Sequence, residues 1–459
     1  MFFIKLVLYL WGNLGELKMI LTVIISAITI LAMAVCVLVK PYLTIKNRSV
    51  GLYWIICLLG AILLLATGRI SFSAVIDGVT ADTSVNPLKI LVLFLSMTLL
   101  SVYLGDAGFF DWVADGLFRK TNGKQLPLFL GLYAVVSILT VFTSNDVIIL
   151  TFTPAICIFA KKARISPIPY LVAEFIAANT WSMALIVGNP TNVYLAQSAG
   201  IGFSEYLSVM MLPAVIGGLT GLGVLILLFG KQLHAPQKQE SKPLCEKTSA
   251  TGGVIKVEKT TMIVAIVHLL ACIIMLALAE YIGAEMWIIC FFAALSLTIF
   301  DVVYDIIHYH TVKPVVGSMK KEPYELIPFV LSMFVIVLAL KSSGFTDVLK
   351  NLLITGNNSD CVSIGFVSAL ASNLLNNIPM SVLFESIVSG GNKLAVYGAV
   401  VGSNIGAFIT PVGALAGIMW NKILSSHGVK LSFAKFVLYG VTVALPTLAA
   451  TLLALFFMA

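Results

Sequence analysis

The chain has 459 residues, of which 59% are hydrophobic and only 11% charged, and its formal net charge is +7. A soluble domain is about 45–50% apolar and about 25% charged. A water-facing surface cannot be built from this composition, which excludes a soluble enzyme, a nucleic-acid binder and a disordered chain. The apolar residues suffice for about ten bilayer-spanning helices of ~20 residues each.

Residues 1–88 hold the apolar runs 19–39 and 50–67, and residues 2–12 read as a retained interfacial helix. From 89 to 230 come runs 89–105, 126–160, 168–199 and 206–229. The segment 231–260 contains six lysines and no apolar run, so it reads as a flexible cytoplasmic linker. Two connecting spans follow at 261–281 and 285–304, within 261–322. The last unit, 323–459, carries runs 324–343, 360–388, 395–420 and 433–458.

Five basic clusters orient these runs: Lys40, Lys46 and Arg48; Arg119, Lys120 and Lys124; Lys161, Lys162 and Arg164; the linker; and Lys313, Lys320 and Lys321. If all are cytoplasmic, 126–160 enters and leaves on one side as a re-entrant hairpin with its tip at 143–146. Two very short spanning helices are the alternative, at the cost of placing one basic cluster outside. Segment 360–388 makes the matching hairpin from the other side, with its tip at 372–379.

A shift of 236 places Leu95-Ser96-Met97 on Leu331-Ser332-Met333, Leu104 on Leu340, Gly108-Phe109 on Gly344-Phe345 and Asp111 on Asp347, seven identities between 95 and 113. Units 89–230 and 323–459 thus read as two inverted-topology repeats. The predicted fold class is an all-α polytopic membrane protein in which each repeat has a re-entrant hairpin and a discontinuous transmembrane helix.

Four polar breaks interrupt the apolar runs: Ser144-Asn145-Asp146; Gly188-Asn189-Pro190-Thr191-Asn192; Ser372-Asn373 through Asn376-Asn377-Ile378-Pro379; and Gly402-Ser403-Asn404 through Thr410-Pro411. In hydrocarbon, open backbone survives only where it lines a protein cavity. Its carbonyls suit a cation, half-helix N-termini suit an anion, and Asn, Ser and Thr side chains add neutral donors and acceptors. The same residue types also glue or kink ordinary transmembrane helices; what favours a site is their recurrence at matching places in both units.

The candidate substrate-binding residues are therefore Ser144, Asn145, Asn189, Thr191, Asn192, Ser372, Asn373, Asn376, Asn377, Ser403, Asn404 and Thr410. Asp146 and Glu174 are candidates for proton or cation coupling, because a carboxylate at membrane depth is costly. Asp146 can equally cap helix 147–160, and Glu174 can lie nearer the interface. Asp106 and Lys341, at neighbouring repeat positions, either pair between the halves or snorkel to headgroups. Trp181 and Trp420 lie beside the broken helices. His308 and His310 read as loop residues. The seven cysteines, Cys157 and Cys245 among them, read as small apolar filler. No phosphate loop, HExxH or CxxC is present, so no cofactor and no structural metal are expected.

At these residues the chain resembles the ion-transporter superfamily and, within it, the arsenite/antimonite efflux permeases (arsenical pump membrane proteins). The likeness runs from about residue 89 to the C-terminus. It is carried by LGDAGFFDWVADGLF (104–118), SNDVIILTFTP (144–154), IVGNPTNVYLAQSAGIGFSEYLSVM (186–210), SSGFTDVL (342–349), SNLLNNIPMSVL (372–383) and GSNIGAFITPVGALAGIMWNKIL (402–424). It implies a non-enzymatic multi-pass protein of the cell membrane, with substrate at the midplane between the tips and a trivalent metalloid hydroxide exchanged outward for protons. Candidate partners are a homodimeric copy and a cytoplasmic ATPase. Two departures stand out. The arsenite branch reads SNLVN where this chain has GNPTN (188–192), and it has an acidic residue where this chain has Ser403-Asn404. GNPTN is similar to the sodium/proton antiporter and anion-transporting branches. The alternative is therefore sodium-coupled transport of a dicarboxylate or other small anion, or sodium/proton antiport, with Na+ at Ser144, Asn145, Ser372 and Asn373.

Overall fold

The computed structural model describes residues 14–39, 42–45, 48–82, 86–121, 124–234, 258–321, 323–388 and 392–458. The proposed interfacial helix 2–12, Cys245 and most of the 231–260 linker lie outside the described residues. Nearly all the rest is helix. The exception is an antiparallel pair, β1 (Tyr42–Ile45) and β2 (Arg48–Gly51), with Tyr42 opposite Gly51. The all-α expectation holds, with this one hairpin as the sole β pairing among the described residues.

The N-terminal part consists of α1 (Leu14–Val39), α2 (Leu52–Ala66) and a short α3 (Phe72–Thr80). Glu325 ties β2 and α2 to the second half: its carboxylate accepts from the Gly51 amide at 2.9 Å and the Tyr53 hydroxyl at 3.1 Å. Next come α4 (Pro87–Asp106), α5 (Phe109–Lys120), α6 (Gln125–Phe142), α7 (Asn145–Ala163), α8 (Ile168–Trp181), α9 (Pro190–Ser198) and α10 (Phe203–Leu233). Helices α11 (Lys259–Ile282), α12 (Met286–Tyr309) and α13 (Lys313–Met319) connect to the second unit. That unit is α14 (Leu326–Ser342), α15 (Phe345–Leu353), α16 (Asp360–Leu375), α17 (Asn377–Val388), α18 (Lys393–Gly406), α19 (Leu415–Ser426) and α20 (Phe433–Phe457).

Among the described residues, seven helices are long and apolar enough to cross a bilayer, and the bent pair α14–α15, turned by 79°, makes an eighth. The protein is thus a multi-pass membrane protein. His308 lies inside α12 and not in a loop, stacked on Tyr304 with ring centroids 4.0 Å apart, and His310 ends that helix at φ 51°.

The two units share one order of elements: a long helix, a short helix, two helices meeting at a break, a broken helix and a long closing helix. The turn from α4 to α5 and that from α14 to α15 are alike in detail. Each second helix starts at a glycine in the left-handed region, Gly108 at φ 85° and Gly344 at φ 81°, where a Cβ would be strained. These are the two glycines that the 236-residue shift superimposes.

Helix α18 packs against α16 along Gly398, Gly402 and Gly406. A Cβ at Gly402 would collide with the Gly365 carbonyl and the Ser368 hydroxyl. This is the small-residue spacing that lets transmembrane backbones approach closely. Gly402→Ala should therefore lower the thermal unfolding temperature of the detergent-solubilised protein, by an overpacking cost of about 1–3 kcal/mol. An unchanged unfolding temperature would show that the α16–α18 contact has slack.

Candidate functional site: four interrupted helices joined by amides

The first break is made by local capping. Helix α6 ends at Phe142, Thr143 and Ser144 are extended, and the Ser144 hydroxyl accepts from the Asp146 amide at 3.3 Å to start α7. Ser144, not Asp146, is thus the N-cap. The Asp146 carboxyl stands in the first turn and makes no hydrogen bond or ion pair among the described residues. Asn145 points the other way and donates to Asn179 Oδ1 on α8 at 3.1 Å.

The second break follows α8. Two 3-10 turns, Ser182–Ala184 and Ile186–Gly188, replace the helix, and Asn189 restarts it as the cap of α9, accepting from the Thr191 amide at 3.1 Å. Pro190 occupies the first position of α9, where its missing N–H costs nothing.

The third break turns on Asn376, at φ 74° and ψ 154°, a region that side-chain-bearing residues enter at a cost of about 1–3 kcal/mol. Its side chain offsets that strain by donating to the Val412 carbonyl at 2.9 Å. The fourth break is the non-helical stretch between α18 and α19. It meets the third throughout: Asn377 N donates to the Gly413 carbonyl at 3.0 Å, and Asn373 Nδ2 to the Gly406 carbonyl at 2.9 Å. Thr410 Oγ1 donates to Asn373 Oδ1 at 2.8 Å.

Asn404 joins the halves. Its Oδ1 accepts from Ser182 Oγ at 2.8 Å and Asn189 Nδ2 at 3.0 Å, and its Nδ2 donates to Asn192 Oδ1 at 2.7 Å. Thr191 and Ser403 share a hydroxyl–hydroxyl bond of 3.1 Å. Asn192 also satisfies the opened backbone, donating to the Ser182 carbonyl at 2.8 Å. The first break is thus bonded to α8 through Asn145 and Asn179, the second to α18 through Asn404, and the fourth to the third through Asn373, Asn376 and Asn377. Ser182, Asn189, Thr191, Asn192, Ser403 and Asn404 are all at most 1% exposed.

Not every atom in this array is engaged. Asn377 Oδ1 is buried and has no hydrogen-bond partner among the described residues, and a buried unpaired acceptor costs about 1–3 kcal/mol. Ser372 Oγ donates to the Ala369 carbonyl within its own helix at 2.9 Å. No Lys or Arg occurs in 125–160, 165–230, 351–392 or 394–421, so the breaks carry no basic side chain.

Glu174 lies apart from this array. It is fully buried, accepting from Thr153 Oγ1 at 2.8 Å and from Trp420 Nε1 at 3.2 Å. Its bonds clamp α7, α8 and α19 together. Asp106 and Lys341 do not pair. Asp106 takes Lys321 and Ser318, while Lys341 lines a separate cleft. The sequence reading missed Asn179, Ser182 and Thr153. A polar pair spaced Asn-x-x-Ser (179–182) inside an apolar run was the available signal for the first two.

Known proteins are similar to this chain in sequence or in architecture. The arsenical pump membrane protein of Escherichia coli strain K12 is 28% identical over 443 residues, covering 93% of this chain and 98% of its own. Among solved structures, the Neisseria gonorrhoeae MtrF transporter, described as an antimetabolite efflux pump, superposes with a TM-score of 0.57 at 13% identity, covering 96% of this chain and 94% of its own. The Alcanivorax borkumensis YdaH transporter, described as having an unusual topology, gives 0.51 at 12% identity, with 96% and 98% covered. These likenesses concern the fold. The sequence model of the CitMHS citrate transporter family matches residues 52–396. The chain is a membrane transport protein and belongs to the CitMHS family of the ion-transporter superfamily.

Proposed function

We propose that the protein is a proton-coupled secondary transporter of the cell membrane that exports arsenite, antimonite or a similar small hydroxylated inorganic solute. The observation that carries this reading is the chemistry of the joined breaks: amides and hydroxyls, one unpartnered carboxyl, and no basic side chain. A neutral trihydroxide needs hydrogen-bond donors and acceptors but no counter-charge. A tricarboxylate at this depth would need cations to offset its desolvation, and the breaks supply none as side chains. Relatives named as arsenical pumps support the same choice.

In this mechanism Asn145, Asn189, Thr191, Asn192, Ser403, Asn404, Asn373, Asn377 and Thr410 exchange bonds with one another for bonds to the solute. Asn377 Oδ1 is the acceptor already waiting for a donor. Asp146 takes up a proton as its carboxyl faces the outside and releases it inside, and the two units reorient around the fixed midplane site. Under this topology the linker 231–260 is cytoplasmic.

A second reading is sodium-coupled transport of a small anion. Helices α7, α9, α17 and α19 all begin at the breaks, and helix N-termini carry partial positive charge. Uptake into everted vesicles separates the two. With a proton gradient alone, arsenite should accumulate. If accumulation requires sodium and arsenite does not compete, the first reading falls. In that event Ser144→Ala and Ser372→Ala should each raise the sodium concentration needed for half-maximal uptake.

A further inference from the structure

Two neighbouring cavities lie between the units, outside the array of amides. The outer one, about 190 Å3, is lined by Tyr194, Lys341, Glu385 and Ser386 among others. The inner one, about 20 Å3 and so closed to anything much larger than a water, reaches Pro190, Ile378 and Ser381. Tyr194 and Val382 belong to both, so they form the waist between them. The inner cavity ends on residues beside two of the breaks: Pro190 follows Asn189, which bonds Asn404, and Ile378 follows Asn377, whose side-chain Oδ1 is unpaired among the described residues.

The two cavities differ in character. The waist is buried, Tyr194 being 4% and Val382 2% exposed. The outer cavity is walled mostly by apolar side chains such as Phe334, Val337 and Leu338, but it alone carries the charged Lys341 and Glu385. Ser386 Oγ donates to Glu385 Oε2 at 3.0 Å, while Lys341, in the last turn of α14, forms no ion pair with Glu385. Its other walls include Gly78 and Ala81, which precede α4. Asn86, the cap of α4, holds that segment in place by donating to the Val79 and Ala81 carbonyls, both at 2.8 Å. The far end of α4 carries Asp106, paired with Lys321 in the cluster Lys313, Lys320 and Lys321. Basic clusters mark the cytoplasmic side, so the mouth faces outward.

We propose that these cavities are the passage by which a small hydroxylated solute moves between the break-lined site and the outer face, with Tyr194 as its gate. The solute class rests on the reading above; the passage and the gate do not. An aromatic ring with a hydroxyl at its tip suits this position, since it closes an apolar waist while offering a passing hydroxyl one hydrogen bond.

Single cysteines at Ser386 and Ser381, conservative replacements on α17, report the two cavities. Each is introduced in the full chain in membrane vesicles and reacted with a membrane-impermeant charged methanethiosulfonate applied from one side at a time, with the parent chain as background. Ser386→Cys should react from the outer face, and Ser381→Cys from the same face more slowly. Adding Tyr194→Ala should speed reaction at Ser381→Cys about tenfold and leave Ser386→Cys unchanged; Tyr194→Leu serves if the alanine variant does not reach the membrane. Reaction of Ser386→Cys from the cytoplasmic face only, or a Ser381→Cys rate indifferent to Tyr194, overturns the proposal. Labelling requires no transport. Failure of arsenite uptake with the expected labelling therefore sinks only the substrate reading, and the reverse outcome sinks only the passage.

Discussion

Asp146→Asn should reduce proton-driven arsenite uptake to the level of empty vesicles while leaving the protein folded and at normal abundance. The separation of the two effects follows from geometry. The bonds that start α7 are made by the Asp146 backbone amide with Ser144 and Asn145, and the substitution keeps both. The carboxyl itself holds nothing in the described structure, so an isosteric amide removes only charge near the start of α7, a loss of about 0.3–1 kcal/mol. What the amide cannot do is gain and lose a proton. The joined breaks contain no second carboxyl to take over, since Glu174 is engaged by Thr153 and Trp420 elsewhere. Thermal unfolding measured beside vesicle uptake checks both halves of the expectation. Full uptake in the variant would remove Asp146 from the coupling mechanism, and a collapsed unfolding temperature would make it a structural residue.

Asn404→Ala should do the opposite, damaging stability and transport together. Three side chains of the first unit converge on this amide, and Asn404 also donates to the Val400 carbonyl within α18. Truncation strands Asn189 Nδ2 and Asn192 Oδ1 in a place water does not reach, at about 1–3 kcal/mol for each orphaned group. Uptake should fall by about a hundredfold or more, since each 1.4 kcal/mol is a factor of about ten. Asn404→Asp keeps both accepted bonds but loses those donated to Asn192 and Val400 and buries a carboxyl against Asn192 Oδ1, so it should unfold no higher than the alanine variant. Wild-type stability and transport in Asn404→Ala would mean that the bonds across the halves are incidental to both.

The two substitutions also mark how far the linear chain can be read. Asp146 was legible because a carboxyl inside an apolar run has few innocent explanations. Asn404 was legible as a member of a break, but nothing in the sequence says that its partners are Ser182, Asn189 and Asn192, more than 200 positions away. Asn179 and Ser182 went unnoticed because no Gly or Pro stands beside them to announce a break. They matter because the chain leaves the α-helix at Ser182, and the backbone freed there must be satisfied. Glu174 shows the converse: its run of sequence gives no hint that Trp420 and Thr153 surround it.

Composition, the length of the apolar runs, the four interruptions and the 236-residue echo follow from the amino-acid order alone, because hydrocarbon solvent and backbone hydrogen bonding act on each segment by itself. Which interruptions touch, which carboxyl is clamped and which is free, and where Lys341 and Tyr194 stand were decided by packing. Those outcomes depend on close approach between helices far apart in the chain, as along Gly398, Gly402 and Gly406, and such contacts leave no local trace in either segment.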